Sequence, residues 1–212
     1  MTKRHGIGFI GLGSIGQRML AQGWHHSRVQ PVVVWDQNPE RVAATVDKRV
    51  GLQAAADVDS LINDDAVDVV YIASPPLTHA AYAETILQSG KPVLCEKPLG
   101  IDIVVSEALA ARATASGICH AVNFIFASGH PVTQIEQALE RAEPGEIKGV
   151  EVQLHLPNWA KRRYAEAPWL KESDQGGFVR EVLSHFCLLY TSPSPRDQRG
   201  SASPGGGCKK KM

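Results

Sequence analysis

Four groups of residues in this chain have the types and spacing that chemistry needs. The first is Gly11-Leu12-Gly13-Ser14-Ile15-Gly16. Glycines so spaced allow a tight turn at Gly11, close approach of a pyrophosphate to the backbone at Gly13, and close helix–strand packing at Gly16. The N–H groups of Ser14, Ile15 and Gly16 then face the anion at a helix N-terminus. The second is Asp36, 20 residues after Gly16. A carboxylate at that distance suits the hydroxyls of an adenosine ribose, although a surface turn residue fits the same position. The third is Lys97, between Glu96 and Pro98. A lysine on a stiff turn can polarise a substrate oxygen or carry its proton, and Glu96 could orient it. Spacing alone suits a solvated surface lysine equally. The fourth is Glu181 and His185, four apart and therefore on one helix face. A carboxylate beside an imidazole fixes its tautomer and raises its basicity, which makes His185 a candidate base for a hydroxyl proton. Spacing alone favours an ordinary Glu–His contact, and the absence of an evident third ligand argues against a metal site.

These residues must be positioned by something, and the intervening sequence supplies it. Residues 6–10 form an apolar run that enters the glycine triplet, with a helix expected through about Gly23. That strand–glycine–helix context turns a weak motif into a dinucleotide-binding signature. Val32-Val33-Val34-Trp35 predicts a second strand ending at Asp36, and Asn38-Pro39-Glu40 a helix start. A short third strand is expected over 52–56. Residues 67–73 form a largely apolar run of the kind found where both sheet faces are covered. A helix over about 78–89, a strand over 91–95, a helix over 103–116 and a strand over 118–124 follow. Lys97 thus falls just past the carboxyl end of a strand, where doubly wound folds bind ligands. The alternation predicts an α/β fold: a Rossmann-type doubly wound parallel sheet over 1–123. Beyond Phe126 the rhythm changes, with a helix near 131–142 and a strand near 147–156. This reads as the start of a truncated α+β second domain, 124–186. Gln37 rather than Arg follows Asp36, so no obvious group pairs with a 2′-phosphate, and NAD is expected over NADP.

Composition closes off other classes. Lys+Arg and Asp+Glu are equal at 22 each, which gives no electrostatic reason to expect nucleic acid or an anionic membrane as partner. No apolar run approaches the roughly 18 residues needed to span a bilayer. Lys3 and Arg4 precede an apolar stretch, but its glycines flow into the phosphate-loop pattern, so it is not read as a signal peptide. Four scattered cysteines without a C-x-x-C pair imply reduced thiols and a cytoplasmic protein. Cys95 and Cys119 are expected as small core residues.

The composition shifts abruptly at Cys187. Residues 187–197 resemble the in-frame translation of a transposase adapter used in DNA library preparation, and Gly205-Gly206-Gly207 and Lys209-Lys210-Lys211 resemble index and homopolymer sequence. Residues 187–212 are therefore expected to be an artefactual disordered tail, and the natural protein to continue beyond 186. A natural Ser/Pro/Gly-rich tail is the alternative.

The chain as a whole resembles the Gfo/Idh/MocA family of NAD(P)-dependent oxidoreductases. The glycine segment is common to many Rossmann proteins. More specific are Asp68-Val69-Val70-Tyr71-Ile72-Ala73-Ser74-Pro75-Pro76-Leu77-Thr78-His79 and Gly90-Lys91-Pro92-Val93-Leu94-Cys95-Glu96-Lys97-Pro98-Leu99. The resemblance implies that Lys97 is the family's catalytic lysine and that Ser74, Pro75, His79, Glu96 and Lys97 itself line the cofactor. It matches 176–185 to the family's Gly-Gly…Asp-x-x-x-His motif, with Glu181 where Asp is usual. A carboxylate one methylene longer shifts its reach by roughly an ångström. It also implies a polyol or sugar-like substrate and, through the second domain's sheet, a homo-oligomeric full-length protein. The function expected is a dehydrogenase of a sugar- or cyclitol-like secondary alcohol. A non-catalytic dinucleotide-binding or sensing protein on the same fold is the alternative.

Overall fold

The computed structural model describes residues 4–126, 129–141, 151, 153–155, 167–177 and 179–191. Six parallel strands build one sheet: β1 (His5–Ile10), β2 (Val29–Trp35), β3 (Gln53–Ala54), β4 (Val69–Ile72), β5 (Val93–Glu96) and β6 (His120–Asn123). Their spatial order is β3-β2-β1-β4-β5-β6. The order reverses between β1 and β4, and that switch point opens a crevice at the carboxyl edge of the sheet. Among the described residues seven α-helices accompany them: α1 (Ser14–His25), α2 (Pro39–Val46), α3 (Val58–Asn63), α4 (Pro76–Gln88), α5 (Ile103–Ser116), α6 (His130–Glu140) and α7 (Ser184–Thr191).

Strand alternation divides the core in two. On one face Phe9, Val34 and Tyr71 pack with Leu12, Leu20 of α1, Val42 of α2 and Leu52. On the other, Ile10, Val33, Val70, Ile72 and Cys95 meet Leu61 and Ile62 of α3, Ala83 and Ile86 of α4, and Leu109 of α5. Adjacent residues such as Phe9 and Ile10, or Tyr71 and Ile72, therefore serve opposite faces, and each fully buried side chain of this size contributes about 1.5–3 kcal/mol. This is the doubly wound α/β architecture that the sequence predicts.

Local chemistry sets the helix starts. The Asn38 side chain accepts the Glu40 and Arg41 N–H groups before Pro39 opens α2. Asp57 and Ser60 form a reciprocal capping box on α3, a helix absent from the sequence reading because six residues are too few for a periodic pattern. α4 begins at Pro76, two residues before the expected Thr78, since proline is favoured in a first turn.

Beyond β6 the described structure comprises α6, a 3₁₀ turn (Pro168–Lys171), a π-helical turn (Val179–Leu183) and α7. Most of the strand expected near 147–156 lies outside the described residues, and Glu151 and 153–155 carry no strand. α7 continues to Thr191, so residues 187–191 are helical where a disordered tail was expected. Residues 192–212, with Cys208, lie outside the described residues. Cys95 is buried as expected, but Cys119, just before β6, is exposed. Among the described residues no helix is long and apolar enough to cross a membrane.

Candidate active site

The glycine turn joins β1 to α1 beside β4. Gly11 has φ +96°, and a Cβ there would sit 2.6 Å from the Ala73 carbon and Ser74 nitrogen. A Cβ on Gly16 would lie 2.1 Å from the Gly11 carbonyl oxygen. Both glycines are thus required by the chain's own packing. Gly13 differs, because a Cβ there would meet nothing within 4 Å. Open space beside Gly13, together with an α1 N-terminus that no side chain caps, is the cradle that a pyrophosphate fits.

Asp36 sits at the end of β2 against that turn. Its Oδ2 accepts the Leu12 N–H at 2.6 Å and its Oδ1 accepts the Asn38 N–H at 2.8 Å. Arg41 Nη1 donates to both carboxylate oxygens at 3.2 Å. The Asp36 side chain is 8% exposed and that of Arg41 is 44% exposed. Asp36 therefore braces the glycine turn. Arg41, five residues on, stands in the place where Gln37 offers no cation. The signal for it is the helix start at Asn38, which turns the chain back toward β2.

At the β4 and β5 ends, two loops are tied together by His79. Its Nδ1 lies 2.7 Å from the Pro98 carbonyl oxygen and its Nε2 2.7 Å from that of Ser74. Both partners are acceptors, so a neutral ring donates to one of them at a time. Ser74 Oγ is 2.7 Å from Thr78 Oγ1, closing the first turn of α4 behind Pro75. Glu96 does not turn toward Lys97. Its Oε1 accepts from Tyr71 Oη at 2.5 Å and from Asn123 Nδ2 at 2.7 Å. Burial, then the charge of Glu96, pushes the Tyr71 phenol well above its ordinary range, so it stays a donor.

Lys97 reaches across to the π-helical turn. Its Nζ donates to Glu181 Oε2 at 2.7 Å and to the Glu181 carbonyl oxygen at 2.9 Å. The two side chains are only 11% and 14% exposed. Glu181 is thus a partner of Lys97 rather than of His185, which corrects the expected carboxylate–imidazole contact. The cause is backbone geometry: Val179–Leu183 is π-helical, so the four-residue spacing no longer stacks Glu181 on His185 as in an α-helix. His185 instead packs between Phe124 and Phe126, with ring centroids at 5.8 and 4.5 Å. Its basicity is lowered, not raised. Burial, then the Lys97 ammonium, brings its pKa down to about 4. The imidazole is therefore neutral near pH 7, the form that accepts a proton. Glu181 Oε1 and His185 Nδ1 are buried without hydrogen-bond partners. Both atoms keep hydrogen-bonding capacity that the protein leaves unused.

The structure thus brings Lys97, Glu181 and His185 to one end of β5, and Gly11, Gly13, Ser14, Ile15, Gly16 and Asp36 to the ends of β1 and β2. Ser74, Pro75, His79 and Glu96 lie on the edge between them. Sequence reasoning missed Arg41, Tyr71, Asn123, Phe124 and Phe126.

Comparison with known proteins bears on the fold and the family. UDP-N-acetylglucosamine 3-dehydrogenase of Acidithiobacillus ferrooxidans is 36% identical over 91% of this chain and 56% of its own length. Inositol 2-dehydrogenase 1 of Saccharopolyspora erythraea is 44% identical over 47% of this chain and 29% of its own. The chain thus spans about half, or less, of the length of these curated relatives. An NAD-binding protein from Listeria innocua superposes with a TM-score of 0.69 over 87% of this chain and 53% of that one, at 21% identity, and so shares the fold. Residues 5–124, more than half of the chain, match the Gfo/Idh/MocA oxidoreductase family, described by its NAD-binding Rossmann fold, and the chain belongs to that family.

Proposed function

We propose that this chain carries the cofactor-binding half and the proton-transfer groups of an NAD-dependent dehydrogenase acting on a sugar- or cyclitol-like secondary alcohol. The observation that carries the reading is the buried cluster of Lys97, Glu181 and neutral His185, with polar atoms left unpaired. The dinucleotide fits the residues present. The open face at Gly13 and the N–H groups of Ser14, Ile15 and Gly16 hold the pyrophosphate, and Asp36 holds the adenosine ribose. Ser74, Pro75, His79 and Glu96 line the remaining edge. When bound, the cofactor supplies a two-electron acceptor for the hydrogen leaving the alcohol carbon. The chain's own groups manage the proton. Lys97 holds and polarises the substrate oxygen, and the neutral His185 imidazole takes its proton as the C–O bond becomes a carbonyl. Glu181 keeps the Lys97 ammonium aimed. The dehydrogenase names of the relatives support this substrate class.

One observation favours a second reading, non-catalytic dinucleotide binding. Lys97 already directs two of its three N–H donors at Glu181. NAD reduction by the full-length gene product, screened against a panel of cyclitols and sugar nucleotides, separates the two. Reduced cofactor with a polyol supports the dehydrogenase, whereas cofactor binding with no turnover supports the second reading. The 212-residue chain alone is expected to bind NAD weakly and to be inactive.

A further inference from the structure

Three neighbouring strands each send one polar side chain to the same point beneath the carboxyl edge. Tyr71 comes from β4, Glu96 from β5 and Asn123 from β6. Register explains the meeting. Glu96 pairs with Asn123, and Tyr71 pairs with Leu94, two residues before Glu96 on the same face of β5. Tyr71 is 1% exposed and Glu96 8% exposed, so a carboxylate is held in a nearly dry place. Both donors converge on one atom, Oε1. Oε2 accepts no hydrogen bond among the described residues. A carboxylate fixed through one oxygen presents the other in a single direction.

Sheet order says which part of a dinucleotide that oxygen meets. Asp36 on β2 takes the adenosine side and the glycine turn at β1 takes the pyrophosphate. The other riboside then lies over β4, β5 and β6, where Glu96 stands. We propose that Tyr71 and Asn123 are positioning residues that lock the Glu96 carboxylate so that Oε2 accepts a hydroxyl of the nicotinamide-side riboside. This rests on the reading that Glu96 lines the cofactor site. It assigns Tyr71 and Asn123 to cofactor selection, a role beyond the core packing that burial alone would give them.

The test compares NAD with ADP, which lacks the nicotinamide riboside, by titration calorimetry on the full-length gene product. The chains compared are wild type, Glu96→Gln, Tyr71→Phe, Asn123→Ala and the double variant Tyr71→Phe/Glu96→Gln. Tyr71→Phe and Asn123→Ala are each expected to weaken NAD by roughly three- to tenfold, the scale of one hydrogen bond. ADP affinity should be unchanged, and Tyr71→Phe should add nothing once Glu96 is Gln. Equal weakening of NAD and ADP would mean a purely structural role and overturn the inference. So would unchanged NAD affinity in Tyr71→Phe and Asn123→Ala while Glu96→Gln weakens it. If Glu96→Gln itself leaves NAD affinity unchanged, the reading of Glu96 as a cofactor residue fails, and the inference with it.

Discussion

Lys97 Nζ lies 2.7 Å from Glu181 Oε2, and the pair joins the end of β5 to a turn 84 residues later in the chain. Both ends are largely buried, so the contact does more than a surface ion pair worth about 0–1 kcal/mol. Removing one partner leaves the other as a buried, unpaired charge, which typically costs about 3–5 kcal/mol. Glu181→Ala should therefore lower unfolding stability strongly, and Lys97→Ala likewise. The double variant Lys97→Ala/Glu181→Ala should lose clearly less than the sum. Urea unfolding of the four chains measures the coupling, and additive losses would contradict it.

His185 gives the fold a pH dependence whose sign is fixed. Its folded pKa, about 4, lies below the ordinary 6.5. In that interval the unfolded chain binds a proton that the folded chain refuses, so stability falls as pH drops from about 6.5 to about 4. Unfolding free energies followed from pH 7 to pH 4 should fall in wild type and fall less in His185→Phe. Equal slopes in the two chains would show that His185 is not the group responsible.

Gly13 and Gly16 should part company when each is changed to Ala. At Gly16 the new methyl collides with the Gly11 carbonyl, so the turn must move and stability should fall by roughly 1–3 kcal/mol. At Gly13 the methyl meets no protein atom, so the melting temperature should barely change while NAD affinity drops. Thermal unfolding paired with NAD titration reads both, and loss of affinity without instability is the signature expected for Gly13→Ala alone.

Asp36 and Arg41 make a linked prediction about the 2′ position. Asp36→Ser removes the carboxylate that holds Arg41 and releases its guanidinium toward a 2′-phosphate. NAD should bind more weakly and NADP more tightly, moving the ratio of their dissociation constants by about tenfold or more. Arg41→Ala in the Asp36→Ser background should reverse the gain for NADP. An unchanged ratio would mean that Asp36 acts only as a brace for Leu12.

What the sequence made legible follows from the range over which each feature acts. The glycine turn, Asp36 at the β2 end and Lys97 at the β5 end are set by local runs of apolar residues and by glycine and proline. The parallel, doubly wound sheet follows from the alternation of elements. Glu181 was misread because its partner depended on a π-helical turn, and one inserted backbone unit redirects a side chain in a way that α-helical spacing does not foresee. Arg41 is not legible from the residue adjoining Asp36, because the α2 start folds back a residue five positions on. Tyr71 and Asn123 look like core and strand residues. Only the register of β4, β5 and β6 brings them onto Glu96.

The role of Lys97 is the central claim, and one comparison tests it most directly. Wild type and Lys97→Met of the full-length gene product are each assayed for NAD affinity and for polyol-dependent formation of reduced cofactor. Lys97→Met should keep NAD affinity within about threefold and lose turnover by about 10²- to 10³-fold, the scale of one donor that stabilises charge on the reacting oxygen. Turnover close to wild type in Lys97→Met would contradict the account.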